Sequence, residues 1–213
     1  MTTTLNASTA GAGGFIATSD NSGILALQTA GTTALSIDAS QNVTTTNKFA
    51  KASMPLGSVL QVVSTTKTDN FSTTSSTLVD ITGLSATITP SSSSSKILVM
   101  VAIQVGGENN YYAEFSLLRG STAIGNYTGG SGGTAGFMGA NSVNDYSQFY
   151  IETAANQYLD SPATTSATTY KMQVQSLNQT AGQSTIYINR TYDVANSTRA
   201  TGSSTITLME IAA

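Results

Sequence analysis

The chain has 213 residues, of which only 9% are charged, with a net charge of -3 and a pI of about 4.7. Soluble domains usually carry about a quarter charged residues, and no basic stripe is available here, so nucleic-acid binding through phosphate neutralisation is excluded. Cys, His and Trp are absent, which removes disulfides, thiolate and imidazole metal ligands and the commonest general base.

Ser and Thr together supply 64 residues and Gly another 19. Such a surface is polar but uncharged. A disordered low-complexity chain would look like this, and so would an all-β protein whose wet faces are covered with Ser and Thr. An apolar content of 39% and nine Tyr favour the second. No apolar run approaches the roughly 20 residues that span a bilayer, so no membrane partner is expected. The opening MTTTLNASTAGAGG lacks the basic start and apolar stretch of a signal peptide. The expectation is synthesis in a cytoplasm, with any route outside by lysis or as cargo.

Residues 1–23 are small and polar, an arm punctuated by Gly11, Gly13, Gly14 and Gly23. Next, Ile24-Leu25-Ala26-Leu27 reads as a short apolar strand. Ala30-Gly31-Thr32-Thr33 reads as a turn. Ala34-Leu35-Ser36-Ile37-Asp38 alternates, and Ala39-Ser40-Gln41-Asn42 reads as a second turn. A hairpin of this size is marginal in water, and copies of itself around an axis would supply the missing neighbours. Residues 48–57, with Lys48, Lys51, Pro55 and Gly57, read as a linker.

From residue 58 strands follow one another: 59–63, then 78–81 and 84–88 on either side of Gly83. Residues 96–105, KILVMVAIQV, are apolar on both faces. Periodicity alone cannot separate a buried strand from a buried helix, but Ile97, Val99, Val101, Ile103 and Val105 are β-branched and in phase, so a central strand is predicted. Ala113, Phe115 and Leu117 mark one face of the next. Seven of the 21 residues at 125–145 are Gly, a density that predicts a long loop without a strand. Further strands are predicted at 146–152, 169–177, 184–190 and 204–211. Along 170–175 one face should be dry and one wet. No amphipathic helix is evident. Seven or eight strands spaced by turns predict an all-β, jelly-roll-type β-sandwich, with an arm and hairpin at 1–47, a linker at 48–57 and a head at 58–213.

Chemistry is scarce. A carboxylate pair for glycoside hydrolysis would have to come from Glu108, Glu114, Glu152 and Asp145. Glu114 and Glu152 have polar flanks that predict solvent-facing charges. Ser and Thr nucleophiles have no His to activate them. Asp20-Asn21-Ser22-Gly23 and Asn144-Asp145 are explained by turn chemistry without calcium. Asn70-Phe71-Ser72 and Asn126-Tyr127-Thr128 are acceptor triplets that chance supplies in so Ser/Thr-rich a chain. No catalytic residue, cofactor or metal is expected, and the chain does not read as an enzyme. Tyr111, Tyr112, Tyr127, Phe137, Tyr146, Phe149 and Tyr150 gather around the Gly-rich stretch. They suit core or interface packing, or a contact with sugars.

Residues 22–43, SGILALQTAGTTALSIDASQNV, resemble a module frequent in bacteriophage fibre and appendage proteins. Residues 57–106 resemble the start of a C-terminal domain in tail-fibre-like and head-fibre-like proteins. FSLLRGSTAIG (115–125), TTYKMQVQS (168–176), TIYINRT (185–191) and STITLMEIAA (204–213) extend the likeness. The resemblance implies a homotrimer, with a slender N-terminal part attached to the virion and a β-sandwich facing outward. The shortness of the chain, with the fibre-like module beginning almost at Met1, points to a knob on the capsid: a decoration or cement protein bound to the major capsid protein. The alternative is a short tail or head fibre, attached to tail proteins and binding a host surface glycan. Candidate capsid or trimer contacts are Leu5, Phe15, Ile16, Ile24, Leu25, Leu27, Leu35 and Ile37. Candidate tip contacts are Tyr111, Tyr112, Tyr127, Phe137, Tyr146 and Tyr150.

Overall fold

The computed structural model describes residues 23–45, 54–108, 111–127, 136–142, 149–177, 184–193 and 199–213. The chain divides into two compact units, Met1–Ala50 and Lys51–Ala213. Among the described residues all regular structure is strand, apart from a 3-10 position at Phe149.

The first unit holds β1 (Leu25–Thr29), β2 (Thr32–Ile37) and β3 (Val43–Thr45) as an antiparallel meander. The expected hairpin is therefore three-stranded. The third strand follows from the turn before it. The Asp38 carboxylate accepts from the Ser40 and Asn42 amides, both at 2.9 Å, and from Asn42 Nδ2 at 3.0 Å. Gln41 takes a left-handed φ of 67°. The chain thus reverses within four residues and returns along β2.

The second unit is a β-sandwich of jelly-roll type. One sheet has the order β10-β8-β12-β6, built from β6 (Val79–Ile88), β8 (Tyr111–Arg119), β10 (Met138–Ser142) and β12 (Thr168–Ser176), with β9 (Thr122–Ile124) on β8. The other has the order β4-β14-β7-β13-β5, from β4 (Val59–Lys67), β5 (Phe71–Thr73), β7 (Lys96–Gly107), β13 (Ile186–Ile188) and β14 (Ser204–Ile211). β11 (Glu152–Asp160) also pairs with β7.

The predicted central strand is β7, which pairs with β14 and then β13 along one side and with β11 along the other. Its β-branched face, from Ile97 to Val105 in steps of two, is buried. Phe115, Leu117, Tyr170, Met172, Ile206 and Leu208 fill the space between the sheets. Full burial of one such side chain is worth about 1.5–3 kcal/mol.

Several boundaries differ from expectation. The two strands foreseen around Gly83 are one, because Gly83 at a φ of 83° lets β6 bulge without ending. The Gly-rich stretch contains a strand: β10 pairs residue by residue with β8, Met138 opposite Phe115 and Ala140 opposite Ala113. A neighbouring strand supplies the hydrogen bonds, so local propensity does not decide. Of the strand expected at 146–152, residues 146–148 lie outside the described residues, and β11 runs from Glu152 to Asp160. Its polar middle carries little apolar signal, yet nine residues pair with β7. The expected wet face of β12 is largely covered, with Lys171 and Gln173 half-buried and Gln175 buried. Finally, among the described residues the second unit holds eleven strands, β4 to β14, more than the seven or eight expected, because β5 and β9 are only three residues long and β10 lies in the Gly-rich stretch.

Candidate interaction site

In the meander, Leu25 stands opposite Ile37 and Leu27 opposite Leu35. Ile37 in turn faces Val43, and Leu35 faces Thr45. Directly opposed residues share a face of the sheet, so Leu25, Leu27, Leu35, Ile37 and Val43 form one apolar surface. Leu25 is 58% exposed, Leu27 45% and Val43 61%, while Leu35 and Ile37 are half-buried. A bulge at Leu27/Gln28 adds twist but keeps both leucine pairs in register. Ile24 is also exposed. Val43 was not among the predicted contacts. Its signal, an apolar residue one turn beyond the alternating pattern, is present in the sequence but weak. Leu5, Phe15 and Ile16 lie outside the described residues.

The meander is nearly uncharged. Its one acid, Asp38, is consumed by the turn. The Asn42 side-chain and backbone donors, with Ser40, hold its carboxyl below the usual carboxylate range against a small opposing effect of desolvation.

The predicted tip aromatics separate into two groups. Tyr111 and Phe137 are core residues, which corrects their assignment as surface contacts. Tyr111 points between the sheets, and its hydroxyl donates to Glu152 Oε1 at 2.5 Å. Burial, then that carboxylate, raises the phenol far above its ordinary value. Phe137 lies beside β8, its amide donating to Phe115 O at 2.7 Å. Tyr112, Tyr127 and Tyr150 are exposed. Tyr146 lies outside the described residues.

Among the described residues the candidate carboxylates Glu114, Glu152 and Glu108 are each engaged by a different partner. Glu114, expected to face solvent, is buried and accepts from Gln175 Nε2 at 2.6 Å. The neighbouring strand β10 closes over it, and Gly136 leaves it room: a Cβ there would meet the Glu114 side chain. Glu152 is exposed but tied to Tyr111. Glu108 accepts from Thr185 Oγ1 at 3.0 Å, and Asp145 lies outside the described residues. Among the described residues no group of three His, Cys, Asp or Glu is placed to hold a metal ion.

Two arginine–ring contacts were not foreseen. The Arg190 guanidinium lies 4.2 Å from the centre of the Tyr187 ring, which also meets the Tyr192 ring at 5.9 Å. Arg199 lies 4.1 Å from the Phe149 ring centre and 3.6 Å from Asp193. Phe149 and Arg199 are fifty residues apart, so no local pattern could have paired them.

No protein-family model matches the chain, and no curated protein matches it. A similar solved chain comes from the structure of infectious bursal disease virus, Gx strain. It is 13% identical, with a TM-score of 0.35, over 71% of this chain and 42% of that one. The present chain thus spans less than half the length of that viral chain, and a likeness at this level carries no functional argument.

Proposed function

We propose that the chain is a structural, non-enzymatic subunit of a bacteriophage virion. In this reading it is a homotrimeric decoration or cement protein that holds the major capsid protein through its N-terminal part and stabilises the shell. The observation that carries the reading is the exposed apolar face of the β1–β3 meander. A three-stranded sheet with Leu25, Leu27 and Val43 exposed has no partner for that face among the described residues of its unit. Three copies around an axis would bury it. Each trimer would then present three equivalent attachment points, whose weak contacts combine through effective concentration. The resemblance of residues 22–43 to phage appendage modules supports the same assignment, and the scarcity of charge suits a packed particle surface.

Light scattering on the purified chain should give three times the 21.8 kDa chain mass. Leu25→Asp with Leu27→Asp should reduce it to one. Imaging of intact particles should place hundreds of copies on the capsid, and particles lacking the protein should lose infectivity sooner on heating. A few dozen copies at the tail would overturn decoration. It would favour a short fibre, for which exposed Tyr112, Tyr127 and Tyr150 would stack on host glycans. Binding of the isolated protein to a glycan array would support that second reading.

A further inference from the structure

The outer face of the larger sheet carries a pattern that the core does not require. Across four strands the register aligns Val62 on β4, Met209 on β14, Leu98 on β7 and Leu159 on β11. All four point away from the core, since their chain neighbours Val63, Leu208, Val99 and Tyr158 pack into it. Val62 is 54% exposed and Leu159 55%. With strands about 4.8 Å apart, the row forms an apolar ridge roughly 14 Å wide.

Further along the same face the side chains shrink. The next row holds Met100 and Gln157, and the one after it holds Thr205, Ala102 and Ala155 in register. Together they line an open concavity of about 500 Å³. A ridge of large apolar side chains and a hollow floored by Ala and Thr thus lie side by side on one surface.

We propose that this face is a contact between the sandwich units of two copies of this chain, the ridge of one seated in the hollow of the next. Three features select a second copy. The face contains both halves of the fit, as an interface between identical chains requires. Its outward positions from Thr66 to Val62 and from Ala102 to Leu98 carry no charge, and the one cation beside them, Lys96 in the row of Val59 and Ile211, is bonded to Ser161 Oγ at 2.8 Å, so two copies meet little like-charge repulsion over the ridge and hollow. Val59, Val62, Met100 and Leu159 expose apolar area on the order of 350 Å² between them, the scale of a monomer's largest functional patch. The inference shares with the proposed role only the premise that the chain associates with itself.

The absence of Cys permits a clean test on the full-length protein. Single-cysteine variants Leu159→Cys, Leu27→Cys and Ser85→Cys are labelled with a maleimide while mass is followed by light scattering. Ser85 is exposed on the opposite sheet and reports the free rate. Leu159→Cys should label at least tenfold slower than Ser85→Cys in the assembled protein, and should reach the free rate in a Val62→Glu background of lower mass. Equal rates for Leu159→Cys and Ser85→Cys overturn the inference, as does slow labelling in a protein whose mass is that of one chain. A slow Leu27→Cys with a fast Leu159→Cys retains the N-terminal association and removes this contact. The reverse retains this contact and removes the N-terminal one.

Discussion

At the scale of single residues, two buried polar groups fasten the sandwich. Glu210 on β14 is fully buried. Its Oε1 accepts from Ser91 N and Oγ, both at 2.6 Å, and from Ser95 Oγ at 2.8 Å, while Gln61 Nε2 donates to Oε2 at 2.6 Å. Burial pushes the carboxyl up, but the donors from Ser91, Ser95 and Gln61 outweigh it, and the group lies below its ordinary value. A depressed carboxyl adds stability that is complete above the unfolded-state value and is lost as pH falls through the folded-state value. Glu210→Gln should therefore lower stability by about 2 kcal/mol at neutral pH and flatten the fall in urea midpoint on acidification. An unchanged slope would show that Glu210 is not the group responsible. Asn189 is a second hub, at a φ of 70°. Its Nδ2 donates to Lys67 O at 2.9 Å and Asp69 O at 2.8 Å, and its Oδ1 accepts from Ser204 Oγ at 2.6 Å. Asn189→Asp turns an oxygen toward two carbonyls and should cost about 2–4 kcal/mol by denaturant titration. The sequence shows neither hub, since the partners of Asn189 at Lys67 and Asp69 lie more than a hundred residues away.

At the scale of elements, β8 and β11 are bound across the sandwich at both ends. Tyr111 and Arg119 end β8, while Glu152 and Asp160 end β11. Tyr111 donates to Glu152. Arg119 Nη1 donates to both Asp160 oxygens at 2.8 and 2.9 Å, and Tyr170 OH to Asp160 Oδ2 at 2.7 Å. Asp160 is buried, so removing its charge strands the Arg119 cation and leaves the Tyr170 hydroxyl with a weaker acceptor. Asp160→Asn should cost about 2–3 kcal/mol, and Tyr170→Phe should cost much less in the Asn background than alone, because both remove the same bond. The meander behaves differently, since its stability rests on what covers its apolar face. Amides of β1 and β2 should exchange rapidly at concentrations where the protein is dissociated and slow by at least tenfold on association, read by hydrogen exchange. Exchange independent of concentration would mean that the meander is stable alone. Here the sequence was informative: Leu25, Leu27, Leu35 and Ile37 declare a face by alternation. β10 and β11 were not legible, because Gly-rich and amide-rich segments become strands only when a neighbour offers a register.

At the scale of the whole molecule, the sandwich is closed by its last strand. β14 lies between β4 and β7, pairing with both, and the terminal segment is fixed further by Gly57 N donating to Ala212 O and Ala212 N to Ser58 O. Deletion of residues 204–213 would strip β7 and β4 of their shared partner and expose the core face beneath Ile206 and Leu208. That variant should express as aggregate, with no cooperative unfolding transition. The pairing of the first sandwich strand with the last also joins residues far apart in sequence, so refolding should be slow, in the millisecond-to-second range or beyond, by stopped-flow fluorescence. By itself the sequence determined the class, all-β, through β-branched alternation, abundant Ser and Thr and the lack of amphipathic helical periodicity. It determined β7 as the central strand, because its residues are apolar on both faces. The tertiary structure decided which acids are buried, which aromatics belong to the core and where the apolar ridge lies. Each of those depends on register between strands distant in the chain, and register decides which side chains meet.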